Sequence, residues 1–298
     1  MSTTEDIYPS RRGGEDRILE RPDPVIFGDG HAPGPNGLDD EQLTFFERHG
    51  YVVLEGYLEE LVKPLRREFA RLAQEMKGAP ECFVEPDSDE VRTLFAAHRF
   101  SAVFDRFARD PRMLDVARQI LGSEVYVHQS RINVKPGLKG RSFNWHSDFE
   151  TWHVEDGLPR PRAVTGWIML TENTPFNGPL FVIPGSHRWY VSCGGETPED
   201  NYKQSLKRQL AGTPRLDTLK TLFDEGSVAG VFGRPGTVVF HECNIMHGSP
   251  DNIAPDPRTN LMYVYNSVEN LPEGPYGVPK PRPEFLASRD YDPLEPLN

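Results

Sequence analysis

His146 and Asp148 stand two residues apart in the stretch 143–163, FNWHSDFETWHVEDGLPRPRA. On a β-strand alternate side chains share a face, so this spacing predicts an imidazole and a carboxylate side by side, able to grip one divalent metal. A third ligand must come from elsewhere in the chain. His247, in FHECNIMHGSP, is the natural candidate, 99 residues beyond Asp148 and just past a predicted strand. Two histidines and one carboxylate leave half the positions of an octahedral iron open, the arrangement of non-haem iron(II) oxygenases. Taken alone a His-x-Asp pair is a weak signal, and His146 by itself reads equally well as a surface or a satisfied core histidine.

What raises the pair is its company. Arg258 follows His247 by 11 residues, after a proline-containing turn, and opens a strand in which Arg258, Asn260, Met262 and Val264 share a face. A guanidinium forms a bidentate pair with a carboxylate, which suits the far end of a dicarboxylate. In the stretch 125–135 a period of two puts Val127, Gln129, Arg131, Asn133 and Lys135 on one face and Tyr126, His128, Ser130, Ile132 and Val134 on the other. Neither face is cleanly apolar. A solvated outer face is one reading, but a barrel strand whose inner face lines a polar pocket accounts better for the pattern. Metal ligands at one end of such a pocket and Arg258 or Lys135 at the other match a 2-oxo dicarboxylate in length and charge.

The elements that must position these residues follow from period and punctuation. Residues 1–38, rich in Gly, Pro and charge, read as an N-terminal arm, and 39–298 as a single domain. Within that domain we expect a helical part (39–122), a jelly-roll core (123–268) with an insertion at about 191–227, and a C-terminal tail (270–298). Helices are expected at 39–49, 58–76, 89–98 and 110–121, with two more in the insertion at 202–210 and 216–223. Strands are expected at 51–54, 125–135, 162–170, 180–183, 236–241 and 260–266. Short strands after a helical half predict a mainly β fold, a double-stranded β-helix (jelly roll, cupin-like) buttressed by helices.

Composition narrows the function classes. A net charge of −12 argues against the basic stripe of a nucleic-acid binder. The absence of a basic-then-apolar leader, and of any apolar run near the roughly 18 residues of a span, predicts a soluble protein without a membrane partner. Three cysteines, Cys82, Cys193 and Cys243, with no CxxC spacing, predict a reducing, cytoplasmic setting and no disulfide framework.

His146-x-Asp148, the distal His247, Arg258 beyond it and the PGSH turn at 184–187 together resemble the phytanoyl-CoA dioxygenase family of iron and 2-oxoglutarate enzymes. Within that family the block at 143–163 closely resembles the signature of the ectoine hydroxylases, and the resemblance extends from about residue 51 to 270. PGSH itself reads as a structural turn, since no partner base or acid accompanies it. The resemblance implies a homodimeric dioxygenase that uses Fe(II), 2-oxoglutarate and O₂ to convert ectoine to 5-hydroxyectoine, releasing succinate and CO₂, in the osmolyte arm of a stress response.

Residue by residue, it implies that His146, Asp148 and His247 are the catalytic metal ligands. Lys135, Asn133, Ser249 and Arg258 would hold 2-oxoglutarate, with Phe143 packed beside it. Gln129, Thr151 and Trp152 would face ectoine, and Arg131 would pair either with its carboxylate or in a structural salt bridge. For Trp152 there is a physical reason, because an indole face attracts a delocalised cation by about 0.5–2 kcal/mol; the plain alternative is a core aromatic. Glu150, His153 and Glu155 read as supports of the loop, and Trp145 and Cys243 as packing. Three rivals remain: the same chemistry on another small solute or amino-acid derivative, a non-catalytic metal-binding jelly roll, and a zinc hydrolase. The second would not need Arg258 and Lys135 in the cavity, and the third lacks a helical HExxH.

Overall fold

A computed structural model describes residues 6–85, 89–206 and 209–297. Its first half runs β1 (Arg17–Glu20), α1 (Asp40–His49), β2 (Tyr51–Leu54), α2 (Glu59–Glu75), β3 (Cys82–Val84), β4 (Val91–Phe95), α3 (Ala97–Phe100), α4 (Ala102–Ala108) and α5 (Pro111–Leu121). Strands then dominate: β5 (Val125–Lys135), β6 (Phe143–His146), α6 (Asp148–Thr151), β7 (Ala163–Met169), β8 (Leu180–Val182) and β9 (Trp189–Ser192). The chain continues through α7 (Tyr202–Ser205), α8 (Leu216–Gly226), β10 (Ala229–Val231), β11 (Val238–Glu242), β12 (His247–Ser249) and β13 (Arg258–Ser267).

Alternation along the strands decides which way each face looks. A large antiparallel sheet has the order β2-β11-β7-β13-β5-β4-β3, and a smaller one the order β10-β8-β12-β6. In β7, Val164 and Ile168 join the cluster formed with the helices, while Trp167 and Met169 join Val182 and Val231 of the small sheet. In β13 the same division sets Leu261, Tyr263 and Tyr265 against the helices and Met262 toward the small sheet. Phe104, Phe107, Leu114 and Ile120 of α4 and α5 cover the outer face. The result is a double-stranded β-helix with helices on one side, its interior lying between the two sheets. No described helix is long and apolar enough to cross a membrane.

Local chemistry sets the first helix. Asp39 caps α1 by accepting from Gln42 N at 2.8 Å, Gln42 Oε1 accepts from Asp39 N at 3.1 Å, and Gly50 ends the helix at φ 79°. Elsewhere tertiary pairing overrides periodicity. The helix expected at 89–98 is instead β4 followed by the short α3, because Thr93, Leu94 and Phe95 pair with Asn133, Ile132 and Arg131 of β5. The helix expected at 202–210 extends only over Tyr202–Ser205, and residues 207–208 of that stretch lie outside the described residues. The faces expected for β5 are interrupted at His128, where Gln129 and Val127 pair with the consecutive residues Val264 and Tyr265. This bulge turns Val127 to the helix side, away from Arg131, Asn133 and Lys135.

The described segments before α1 and after β13 are held against the body. β1 pairs antiparallel with β9, and Tyr8 and Arg11 of the N-terminal stretch are buried. Residues from 270 onward show no helix or strand among those described, yet Leu286 and Leu294 are buried and Leu294 N donates to Val125 O at 2.8 Å.

Candidate metal centre

The antiparallel register of β12 on β6 sets His247 directly opposite His146, with ring centroids 4.2 Å apart. Asp148 arrives differently from the strand geometry expected of it. β6 ends at His146, Ser147 caps α6 by accepting from Glu150 N, and Asp148 is the first helical residue. The pair therefore spans a strand-to-helix turn, and that turn, not a shared strand face, swings the carboxylate toward the imidazoles. One ligand atom from each of His146, Asp148 and His247 lies within 4.8 Å of the others, and all three residues are buried.

The donor set fits a divalent metal. His146 Nδ1 donates to Asn144 O at 2.8 Å and His247 Nδ1 to Ile245 O at 3.0 Å, which leaves the lone pair of each ring on Nε2. Those Nε2 atoms stand 3.6 and 3.9 Å from Asp148 Oδ1 and Oδ2, and Oδ2 is buried without a hydrogen bond. Burial and the neighbouring His146 push His247 down to about 3, so it is neutral. Burial raises the Asp148 carboxyl, but the imidazoles of His247, His146 and His241 and the Arg131 guanidinium outweigh it and hold the group well below the usual carboxylate range. Neutral imidazoles and an ionised carboxylate are the ligating forms.

His146 and His247 border a cavity of about 810 Å³, open mouth included, whose other wall is basic. Arg92, Arg131, Lys135, Arg141 and Arg258 line it against one lining carboxylate, Glu85. Arg258 is held by Asn133 Oδ1 at 3.0 Å and Gly178 O at 2.9 Å, while its Nε makes no hydrogen bond. Lys135 Nζ donates to Pro250 O at 2.5 Å. Burial first, then Arg258 and Arg92, push the Lys135 ammonium down to about 6, and burial with Arg131 brings Arg258 to about 10. Burial outweighs the charges of Asp251 and Glu85 at Lys135, and an anion of matching length relieves both buried basic groups.

Of the residues expected at the site, Arg131, Asn133, Lys135, Phe143, His146, His247, Ser249 and Arg258 line this one cavity, with Asp148 against its imidazoles. Phe143 lies edge-on to His146 at 5.1 Å. Gln129, Thr151 and Trp152 are not among the lining residues. Gln129 donates to Leu286 O at 2.6 Å and accepts from Arg131. Thr151 Oγ1 accepts from Arg11 and Gln209. Trp152 is 2% exposed, packed with Phe149, Leu158 and Tyr190, its ring 5.6 Å from His128.

Several residues escaped the sequence reading, Arg92 and Arg141 of the cavity wall among them. Arg11 makes ion pairs with Glu150 at 2.6 Å and Glu155 at 2.5 Å, clamping the turns after Asp148, although its segment reads as an arm. No local signal points to it. His241 lies beside Asp148 and His247, and there a signal existed: it alternates with Val239 on the inward face of a predicted strand.

Comparison with known proteins places the chain in a family. A family model for phytanoyl-CoA dioxygenase (PhyH) matches residues 46–260. An ectoine dioxygenase of Bordetella bronchiseptica is 46% identical over 303 residues, covering 100% of this chain and 97% of its own. A crystal structure of EctD from S. alaskensis with 2-oxoglutarate and 5-hydroxyectoine superposes with a TM-score of 0.88 at 43% identity, covering 99% of this chain and 98% of that one. The same protein with bound Fe gives 0.87 at 43% identity, with 98% of each chain covered.

Proposed function

The chain belongs to the phytanoyl-CoA dioxygenase family, and from that premise we propose that it hydroxylates ectoine at C5, using Fe(II), 2-oxoglutarate and O₂ and releasing succinate and CO₂. The observation that carries this reading is a single cavity with His146 and His247 at one end and Lys135 and Arg258 in its wall. When bound, iron(II) couples the oxidative decarboxylation of a keto acid to the insertion of oxygen into a C–H bond.

The protein's own contribution is holding and aiming. His146, Asp148 and His247 present their ligand atoms together and leave the remaining positions to the cavity. Arg258, braced by Asn133, and Lys135 take the distal carboxylate of 2-oxoglutarate by charge-assisted hydrogen bonds, with Ser249 and Phe143 beside it. We assign Arg131, partly exposed at the metal end and bonded to Gln129, to the carboxylate of ectoine. Thr151 and Trp152, expected on the substrate side, stand behind the cavity wall in the turns after Asp148, and their part in this reading is to back Asp148. Buried walls around the ligands keep water from the oxidant.

The test is anaerobic loading with Fe(II), 2-oxoglutarate and ectoine, followed by air. We expect a product heavier by one oxygen atom and succinate release that requires ectoine. Equal succinate release with proline, or without any added solute, would sink the substrate assignment. Homodimeric assembly and a cytoplasmic, stress-response setting are parts of the same proposal; a sizing column that returns a monomer overturns the first.

A further inference from the structure

His241 sits on β11, six residues before His247, fully buried. The β11–β7 register pairs Val239 with Trp167 and His241 with Thr165, so Trp167 and His241 are diagonal neighbours on the inward face. Trp167 Nε1 donates to His241 Nδ1 at 3.1 Å. An indole N–H only donates, so Nδ1 must be the bare nitrogen, and the ring hydrogen therefore resides on Nε2. That Nε2 is buried and makes no hydrogen bond, and it faces Asp148 Oδ2 at 3.9 Å, itself buried and without one. Two orphans of opposite kind thus face each other across a gap slightly too long for a hydrogen bond.

We propose that His241 is a positioning residue: its Nε2–H, aimed by Trp167 at Oδ2 of Asp148, draws that oxygen toward itself and so biases how the carboxylate is presented beside His146 and His247. The proposal rests on reading those three residues as a metal site. Arg131 approaches the same oxygen at 3.9 Å, but its side chain is 23% exposed and also bonds Gln129, so it supplies charge while His241 supplies direction.

The test reads metal affinity, not turnover: metal-free protein is titrated with Co(II) and followed by cobalt ligand-field absorption. A glutamine amide nitrogen reaches the place of imidazole Nε2, whereas an asparagine amide nitrogen reaches only that of Nδ1. His241→Asn is expected to weaken Co(II) binding about 10–100-fold, the usual effect of losing a group that orients a ligand. His241→Gln should stay within about threefold of the parent because it keeps a donor toward Asp148. Trp167→Phe leaves His241 in place but frees its tautomer, and we expect a loss of about three- to tenfold. Asparagine and glutamine variants that bind Co(II) alike, both intact or both weakened, overturn the proposal, as does an unaltered Trp167→Phe affinity. A parent protein that takes up no Co(II) overturns the metal reading, and this proposal with it.

Discussion

The two ends of the cavity are built on opposite principles. At the metal end the imidazoles are already set: each ligating ring is locked by a backbone carbonyl, and Asp148 sits ionised among imidazoles. At the basic end Lys135 and Arg258 carry charge that burial opposes, and among the described residues neither has an ion-pair partner. One end is organised by folding. The other is braced by Asn133, Gly178 and Pro250 but has its charge matched by its ligand. It follows that the metal and the cosubstrate fail separately, each when its own end is damaged.

The largest effect is expected from His146→Ala. With one of two imidazoles gone and its partner His247 left facing an empty space, Fe(II) retention and turnover should both fall below detection, while 2-oxoglutarate binding measured without metal changes little. Metal content determined after dialysis decides it, and a variant that retains iron would break the division between the ends.

Arg258→Ala attacks the other end. Truncating one partner of a buried charged contact costs about 2–5 kcal/mol, so the 2-oxoglutarate Kd should rise roughly thirtyfold or more. Asn133 Oδ1 and Gly178 O, which Arg258 now satisfies, are left bare as well. Co(II) affinity in the same variant should be unaltered. An unchanged cosubstrate Kd would remove Arg258 from the assignment.

Third comes pH. Lys135 titrates at about 6 because burial, Arg258 and Arg92 disfavour its charge. A bound dianion favours that charge and raises the value, so binding takes up a proton wherever the pH lies between the free and bound values. The affinity for 2-oxoglutarate should therefore weaken as pH rises above about 6, by at most roughly tenfold per unit. Lys135→Met should bind more weakly and with a flatter profile. Calorimetry in buffers of different ionisation heat measures the proton uptake directly, and none at pH 7 would show that Lys135 does not sense the ligand.

How far this site was legible in the sequence depends on whether its logic is local. The alternation of β5 from Gln129 to Lys135 and of β13 from Arg258 to Met262 is a property of the chain itself, so the basic end could be read directly. The pairing of His247 with His146 is a matter of register between distant strands, and only the types and spacing of the residues hinted at it. The turn that delivers Asp148 looks like a strand continuation until Ser147 is seen capping the helix. The stretch 89–98 shows the opposite failure, since VRTLF becomes a strand only because the edge of β5 is free to receive it. Arg11 was illegible for the same reason: its partners are 139 and 144 residues away.

The smallest effect concerns what lies behind the metal end. Trp152 stands in the turns that follow Asp148, with its indole packed against Phe149 and His128. Trp152→Ala would remove most of a buried ring and cost about 3–5 kcal/mol of stability, which confuses any kinetic reading. Trp152→Phe keeps much of the apolar volume while giving up the better cation-binding face. If the indole takes part in holding ectoine, KM for ectoine should rise about two- to fivefold, the difference expected between a strong and a weaker aromatic partner for a cation. Metal affinity and the 2-oxoglutarate Kd should stay at the parent values. A lowered unfolding temperature with all three constants unmoved would assign Trp152 to the core alone. A loss of Co(II) affinity would show instead that the packing behind Asp148 sets the carboxylate, and the metal end would then extend through the helix into the apolar cluster around Phe149.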